Sequence, residues 1–194
     1  MIGIVGGIGS GKSFVARLFG ELGACVIHSD EVVHQIYQRP DVQQTLQEWW
    51  GPDVLTATGV DRRAVAKIIF DNEHERHRLE ALVHPLVTAE RERVMAAAAQ
   101  DPKVTAFVWD TPLLIESNLH KSCDAVVFVD TPTDVRIARV ADRGWDAAEL
   151  ARREILQTPL DKKRTISHYV IRNAADSGDV REQVRRVFSE ILFK

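Results

Sequence analysis

Two cysteines, Cys25 and Cys123, are the only thiols in 194 residues. Two thiols cannot build a disulfide framework, and both lie in apolar stretches, so they read as buried thiols of a reducing compartment. No apolar run approaches the roughly 18 residues that a bilayer crossing needs. The first eight residues are apolar, but they lack a basic leader and Lys12 cuts them short. That argues against a secretory signal and for a cytoplasmic chain with no membrane partner. Charge of one sign is also scarce. A net charge of −3 speaks against a nucleic-acid or membrane-surface binder. The seven histidines show no metal spacing with cysteine. His74 and His77 stand among Glu and Arg, as a solvated helix face does. Repeats, low-complexity tracts and linkers are missing as well.

What is present is an ordinary soluble composition, 45% apolar and 27% charged, enough to bury the core of a single domain. Short apolar runs at 2–5, 24–27, 104–109, 125–129 and 169–171 read as buried strands. Between the first two, Val15, Leu18, Phe19 and Leu22 recur at helical spacing until Gly23 stops them. Strand, helix and strand in under thirty residues is a βαβ unit and predicts parallel pairing. Residues 30–102 show helical periodicity and no strand pattern, with breaks expected at Arg39-Pro40, Gly51-Pro52 and His84-Pro85. Helical signals follow at 133–142, 146–166 and 180–192. Between Arg136 and Arg164 there are eight Lys/Arg against five Asp/Glu, a basic patch suited to gripping an anion or facing solvent. The expected fold is α/β: a three-layer αβα domain around a mostly parallel five-stranded sheet. Its core spans about 1–29, 103–138 and 165–194, with a helical insertion at about 30–102 and a helical lid at about 139–164.

The turn after the first strand reads Gly6-Gly7-Ile8-Gly9-Ser10-Gly11-Lys12-Ser13, a complete Walker A pattern flanked by strand and helix as that motif requires. Phosphate oxygens need several N–H donors converging on one point, and only a backbone largely free of side chains folds around them. The helix that starts near Lys12 aims its positive end at the same point. Lys12 supplies a mobile charge for the β- and γ-phosphates, and the Ser13 hydroxyl an oxygen ligand for Mg²⁺. A nucleoside triphosphate is therefore the expected ligand. The Asn-Lys-x-Asp and Asp-x-x-Gly elements of a GTPase and the signature of a transporter ATPase do not occur. Asp110 at the end of the third strand is followed by Thr111 rather than Glu. The remaining class is a P-loop small-molecule kinase, in which the insertion holds the acceptor and the basic lid closes over ATP. Asp30, just beyond the second strand, is positioned to take a proton from an acceptor hydroxyl and align it. It also reads as a helix cap.

Further segments carry a family resemblance. Gly59-Val60-Asp61-Arg62-Arg63, Ile69-Phe70, Leu79-Glu80-Ala81-Leu82-Val83-His84-Pro85-Leu86, Asp110-Thr111-Pro112-Leu113-Leu114-Ile115-Glu116, and Tyr169-Val170-Ile171-Arg172-Asn173, taken with the phosphate loop, resemble the dephospho-coenzyme A kinase family over nearly the whole chain. Val129-Asp130, Arg139, Arg143, Arg153 and Gln157 follow its strand and lid pattern. The resemblance implies transfer of the ATP γ-phosphoryl group to the ribose 3′-hydroxyl of dephospho-coenzyme A, in a monomer or weak homo-oligomer. It implies Asp30, Lys12 and Arg139 as catalytic groups. Gly7, Ile8, Gly9, Ser10, Gly11, Lys12, Ser13, Phe14, Arg143 and Asn173 would meet ATP. Asp30, His84, Pro112, Leu113 and Glu116 would meet the acceptor, and Ser13 the metal. The chain departs from the family at His28-Ser29-Asp30, where Asp-Ala-Asp is usual, and at Phe14, Arg172 and Ala175.

For several of these residues a plainer role stays open. His84 before Pro85 also suits a helix break, Glu116 a solvated loop acid, and one of Arg143 and Arg153 a solvated or structural cation. Trp49, Trp50 and Trp109 read as core, whereas Trp145 has no clear assignment. Another P-loop kinase, acting on a nucleoside or nucleoside monophosphate, and a catalytically silent nucleotide-binding module remain alternatives.

Overall fold

The computed structural model describes residues 1–70, 72–174 and 177–193, with the side chain of Ser177 left aside. Ala175, a departure from the family pattern, falls outside them. The chain divides into two compact units, Met1–His28 with Ala98–Lys194, and Ser29–Ala97.

The first unit opens with β1 (Ile2–Gly6), α1 (Lys12–Glu21) and β2 (Ala24–His28). All five residues of β1 are buried, which requires cover on both faces and explains why the run is continuously apolar rather than alternating.

The second unit holds α2 (Ser29–Tyr37), α3 (Pro40–Trp50), the two-residue strands β3 (Leu55–Thr56) and β4 (Gly59–Val60), α4 (Arg62–Phe70) and α5 (Glu73–Ala98). Pro40 opens α3, where its missing N–H would lack a partner in any case. Gly51, at φ 84°, ends that helix. The Asp61 side chain accepts the N–H groups of Arg63 and Ala64 at 2.8 and 3.1 Å, capping α4. Those bonds hold its carboxyl below the usual range. Two features differ from what the sequence predicts. The segment does contain strands, since β3 and β4 pair antiparallel, but two-residue strands are too short to show an alternation. The chain also does not break at His84-Pro85, because α5 runs through Pro85. An interior proline costs a helix about 3 kcal/mol. Burial of Leu79 and Val83 on this helix works against that cost.

The first unit resumes with β5 (Ala106–Asp110), β6 (Ala125–Asp130), α6 (Thr133–Ala141), α7 (Ala147–Glu154), α8 (Leu160–Ile166), β7 (Tyr169–Arg172) and α9 (Ser177–Leu192). The sheet order is β2-β5-β1-β6-β7, and every neighbouring pair is parallel. From β1 the chain crosses over β5 to reach β2, then later passes to the other side of β1. The strand order therefore reverses at the C-terminal tip of β1, the place where open α/β sheets bind ligands. The continuous helix suggested at 146–166 is two helices, parted around Pro159.

Ile2, Ile4, Val15, Phe19, Val108, Val127 and Ile171 form the centre of the core. Phe19 of α1 meets Phe188 of α9 edge to face, with centroids 5.5 Å apart. The half-buried Phe14 packs against this cluster, as expected for its place on α1. Cys25 and Cys123 are half-buried rather than buried and form no disulfide. Trp109 is buried, whereas Trp49 and Trp50 are half-buried in the second unit.

Candidate functional site

The glycines of the turn after β1 adopt the backbone that the motif demands. Gly9 and Gly11 lie at φ 76° and 84°, values costly to any residue with a Cβ. At Gly11 a Cβ would also come within 2.3 Å of Asn173 Nδ2. Lys12 Nζ curls back and donates to the carbonyls of Gly6 at 3.3 Å and Gly7 at 2.9 Å. Ser13 is exposed in the first turn of α1.

The loop is held from behind by one carbonyl. Ser10 O accepts from Asn173 Nδ2 at 2.7 Å, Thr131 Oγ1 at 3.0 Å and Arg139 Nη1 at 3.3 Å. Arg139 also reaches Gly9 O, Asn173 O and Asn173 Oδ1 at 3.5, 3.3 and 3.4 Å. The terminal nitrogens of Arg139 thus point at loop carbonyls and at Asn173. Asn173 is itself fixed by its N–H, which donates to Asp130 O at 2.8 Å.

A field of alternating charge surrounds Lys12. Burial pushes its pKa from 10.5 down to about 8; Lys163 and Arg143 push the same way, while Asp110 and Glu154 oppose them. Asp110, at the tip of β5, is buried and pairs through Oδ2 with His28 Nδ1 at 3.0 Å. His28 stands opposite it at the tip of β2. Lys163 is 2% exposed. It donates to Gln157 Oε1 at 2.9 Å and pairs with Glu116 Oε1 at 3.3 Å. Glu116 also accepts the Thr158 N–H at 2.7 Å. Its partial burial would raise its pKa, but these partners outweigh that and hold the carboxyl below its usual range. Glu116 is therefore tied to Thr158 and Lys163 rather than a solvated loop acid. Pro112 and Leu113, from the same segment, are exposed.

Trp145 has two cations over its ring, Arg153 at 4.0 Å and Arg143 at 5.7 Å. Arg153 also bonds Glu149 at 2.6 Å, while Arg143 is exposed. Asp30 is the second residue of α2, exposed and inside the first turn rather than before it. Its negative charge suits that helix end. His84 is exposed on α5, and a helix-break role is removed by the continuity of that helix. Asp30 and His84 belong to the second unit.

Three groups beside the loop escaped the sequence reading: Arg136, Glu154 and Lys163. Arg136 is buried, pairs with Glu154, and donates to Ile8 O at 3.4 Å. The only signal for any of them was the basic excess between 136 and 164, which does not say which cations turn inward.

A phosphate loop at the reversal point of a five-stranded parallel sheet, with a half-buried lysine folded back on its carbonyls, defines a P-loop nucleotide-binding fold. Comparison with known proteins narrows the class. The family model for dephospho-CoA kinase matches residues 1–179. The dephospho-CoA kinase of Aquifex aeolicus is 32% identical over 98% of this chain and 96% of its own length. A crystal structure of a Thermus thermophilus protein superposes with a TM-score of 0.82 at 30% identity, covering 97% of this chain and 96% of that one. The dephospho-CoA kinase from Campylobacter jejuni shares the fold, with a TM-score of 0.71 at 22% identity over 99% of this chain and 96% of its own. The chain belongs to the dephospho-CoA kinase family.

Proposed function

We infer that the residues described above divide the work of dephospho-coenzyme A phosphorylation among them. The reaction moves the γ-phosphoryl group of ATP to the ribose 3′-hydroxyl of dephospho-coenzyme A and leaves ADP and coenzyme A. The observation that carries this division is the half-buried Lys12 on a glycine loop whose carbonyls are bound from behind. The bonds to the carbonyls of Gly9 and Ser10 hold the loop backbone, and its N–H groups are the donors that a polyphosphate takes.

Lys12 then leaves its two carbonyls for phosphate oxygens and neutralises charge that develops on the transferring group. Arg139 and Asn173 keep the loop in shape, and Asn173 borders the nucleotide. Asp30 accepts the proton of the attacking hydroxyl and aligns its oxygen. The support for Asp30 is its chemistry and its place in the chain: an exposed carboxylate two residues after His28, the last residue of β2. His84, Pro112, Leu113 and Glu116 shape the acceptor side, and Arg143 completes the lid. Among the described residues no cluster of three or more His, Cys, Asp or Glu could hold a metal by itself. A hydroxyl such as Ser13 suits Mg²⁺ nevertheless, because that ion keeps several waters and takes few protein oxygens alongside phosphates. Bound with ATP, Mg²⁺ would offset phosphate charge.

No described helix is long and apolar enough to cross a membrane. In this reading the chain meets small-molecule substrates in the cytoplasm as a monomer or weak homo-oligomer. The test is a coupled ADP-release assay with a panel of acceptors. Turnover with dephospho-coenzyme A and none with nucleosides or nucleoside monophosphates is expected, and the reverse pattern refutes the assignment.

A further inference from the structure

The ion pair between Arg136 of α6 and Glu154 of α7 lies against the phosphate loop and has no part in the roles given so far. The Arg136 side chain is 4% exposed and that of Glu154 23%. Glu154 Oε1 takes the Arg136 guanidinium and, at 3.2 Å, also accepts the Ile8 N–H of the loop. A loop amide and an arginine converging on one anionic oxygen are the donors that a phosphate oxygen collects at such a site. The pair also crowds Gly7, where a Cβ would lie 2.7 Å from Arg136 Nη1 and 3.0 Å from Glu154 Oε1.

Two further observations point to a partner other than Glu154. The Nε of Arg136 is buried with no hydrogen-bond partner, although a guanidinium carries five donors and rarely leaves one unmade when enclosed. Arg136 also lines a cavity of about 330 Å³ together with Gly7, Thr131, Thr133 and Arg164. The hold on Glu154 is largely electrostatic. It is the last residue of α7, and the apolar Ile155 and Leu156 beyond it are 81% and 74% exposed, so neither of these side chains fixes that end, although Leu150 one turn earlier is buried. A carboxylate this close to the loop repels an incoming triphosphate.

We propose that Arg136 is a polyphosphate-binding residue of this kinase, and that Glu154 occupies the place of a phosphate oxygen until nucleotide displaces it. Entry of ATP then exchanges the partner of Arg136 and of the Ile8 N–H, and frees the end of α7. The proposal rests on the reading that the loop binds ATP.

Calorimetric titration with ATP, with inorganic tripolyphosphate and with adenosine tests it, on the intact chain and on Glu154→Gln, Arg136→Gln and Arg136→Lys. Glu154→Gln is expected to bind ATP and tripolyphosphate about tenfold more tightly, with adenosine binding unchanged. Arg136→Gln is expected to bind both phosphates at least tenfold more weakly, and Arg136→Lys to fall between. A merely structural ion pair predicts effects of the same sign from both neutral variants, because each breaks the pair. Tighter binding by Glu154→Gln supports the exchange; equal or weaker binding overturns it. Should Arg136→Gln fail to fold in a thermal melt, Glu154→Gln and Arg136→Lys still decide. If the unaltered chain binds neither ATP nor tripolyphosphate, the phosphate-loop reading falls and this inference with it. Binding by the unaltered chain with the wrong sign in Glu154→Gln overturns the inference alone.

Discussion

A lysine that titrates near neutrality at the centre of a phosphate site makes ATP binding a proton-linked reaction. In the free chain Lys12 has a pKa of about 8, lowered first by burial and then by Lys163. Polyphosphate placed against it favours the charged form, so the pKa in the complex returns to its ordinary range or above. The sign follows directly: ATP selects protonated Lys12, and affinity is lost as pH rises through the free-chain value. About three quarters of the free chain carries this proton at pH 7.5 and about one tenth at pH 9, so apparent ATP affinity should fall about eightfold between them. ATP itself is fully ionised over this interval and adds little to the slope. At pH 9 binding should draw in about 0.9 proton per ATP. Calorimetry in two buffers of different ionisation enthalpy reads that number directly. Lys12→Arg, which keeps its proton throughout, should lose the slope whatever its affinity. A flat affinity between pH 7.5 and 9, with no proton taken up, would show that Lys12 is fully charged in the free chain and refute the electrostatic reasoning.

Removing Lys163 by Lys163→Met takes away the largest like charge acting on Lys12, so the pH fall-off of ATP affinity should move upward. The same change strands Glu116 and should lower unfolding free energy by about 3–5 kcal/mol, a loss that added Glu116→Gln should partly restore in denaturant titrations. Asn173→Ala removes one bond to Ser10 O and one to Arg139. It should cost about 1–3 kcal/mol and raise the KM for ATP; an unchanged KM would mean that the loop keeps its shape without this side chain. Asp30→Asn should slow turnover by roughly 10²–10⁴ with ATP affinity nearly intact, and a near-normal rate would remove Asp30 from the role of base.

Features written in consecutive residues are legible in the sequence. The phosphate loop, the five strands and the stops at Gly23 and Gly51 each depend on local backbone chemistry that one short segment displays, although β2 and β7 are only partly buried. Features that depend on a distant partner were not. Lys163 and its neighbours Lys162 and Arg164 form one basic run, yet Lys163 is enclosed against Glu116, forty-seven positions earlier in the sequence, and nothing in the run marks it. Arg136 and Arg139 share a helix and both turn toward the loop. The one that the family pattern singled out directs its terminal nitrogens at loop carbonyls and at Asn173, and the other holds a carboxylate. The hairpin of β3 and β4 was invisible because two residues cannot display a period, and α5 because a proline signals a break that tertiary burial can override.

The three donors on the Ser10 carbonyl explain why residues so far apart in sequence bear on one function. Arg139 comes from α6, Thr131 from just beyond β6 and Asn173 from just beyond β7. The tips of β6 and β7 and a helix between them therefore each place a hydrogen bond on the same peptide unit. Donors at a carbonyl polarise its peptide and strengthen the N–H on the other side as a donor, and here that N–H belongs to Gly11. A Cβ at Gly11 would strike Asn173, and a carbonyl that lost its partners would leave the amide weaker and the turn freer to move. The glycine and the polar cluster thus serve the same end from opposite faces of one peptide: one gives the backbone room to turn, and the other fixes the direction in which its dipole points.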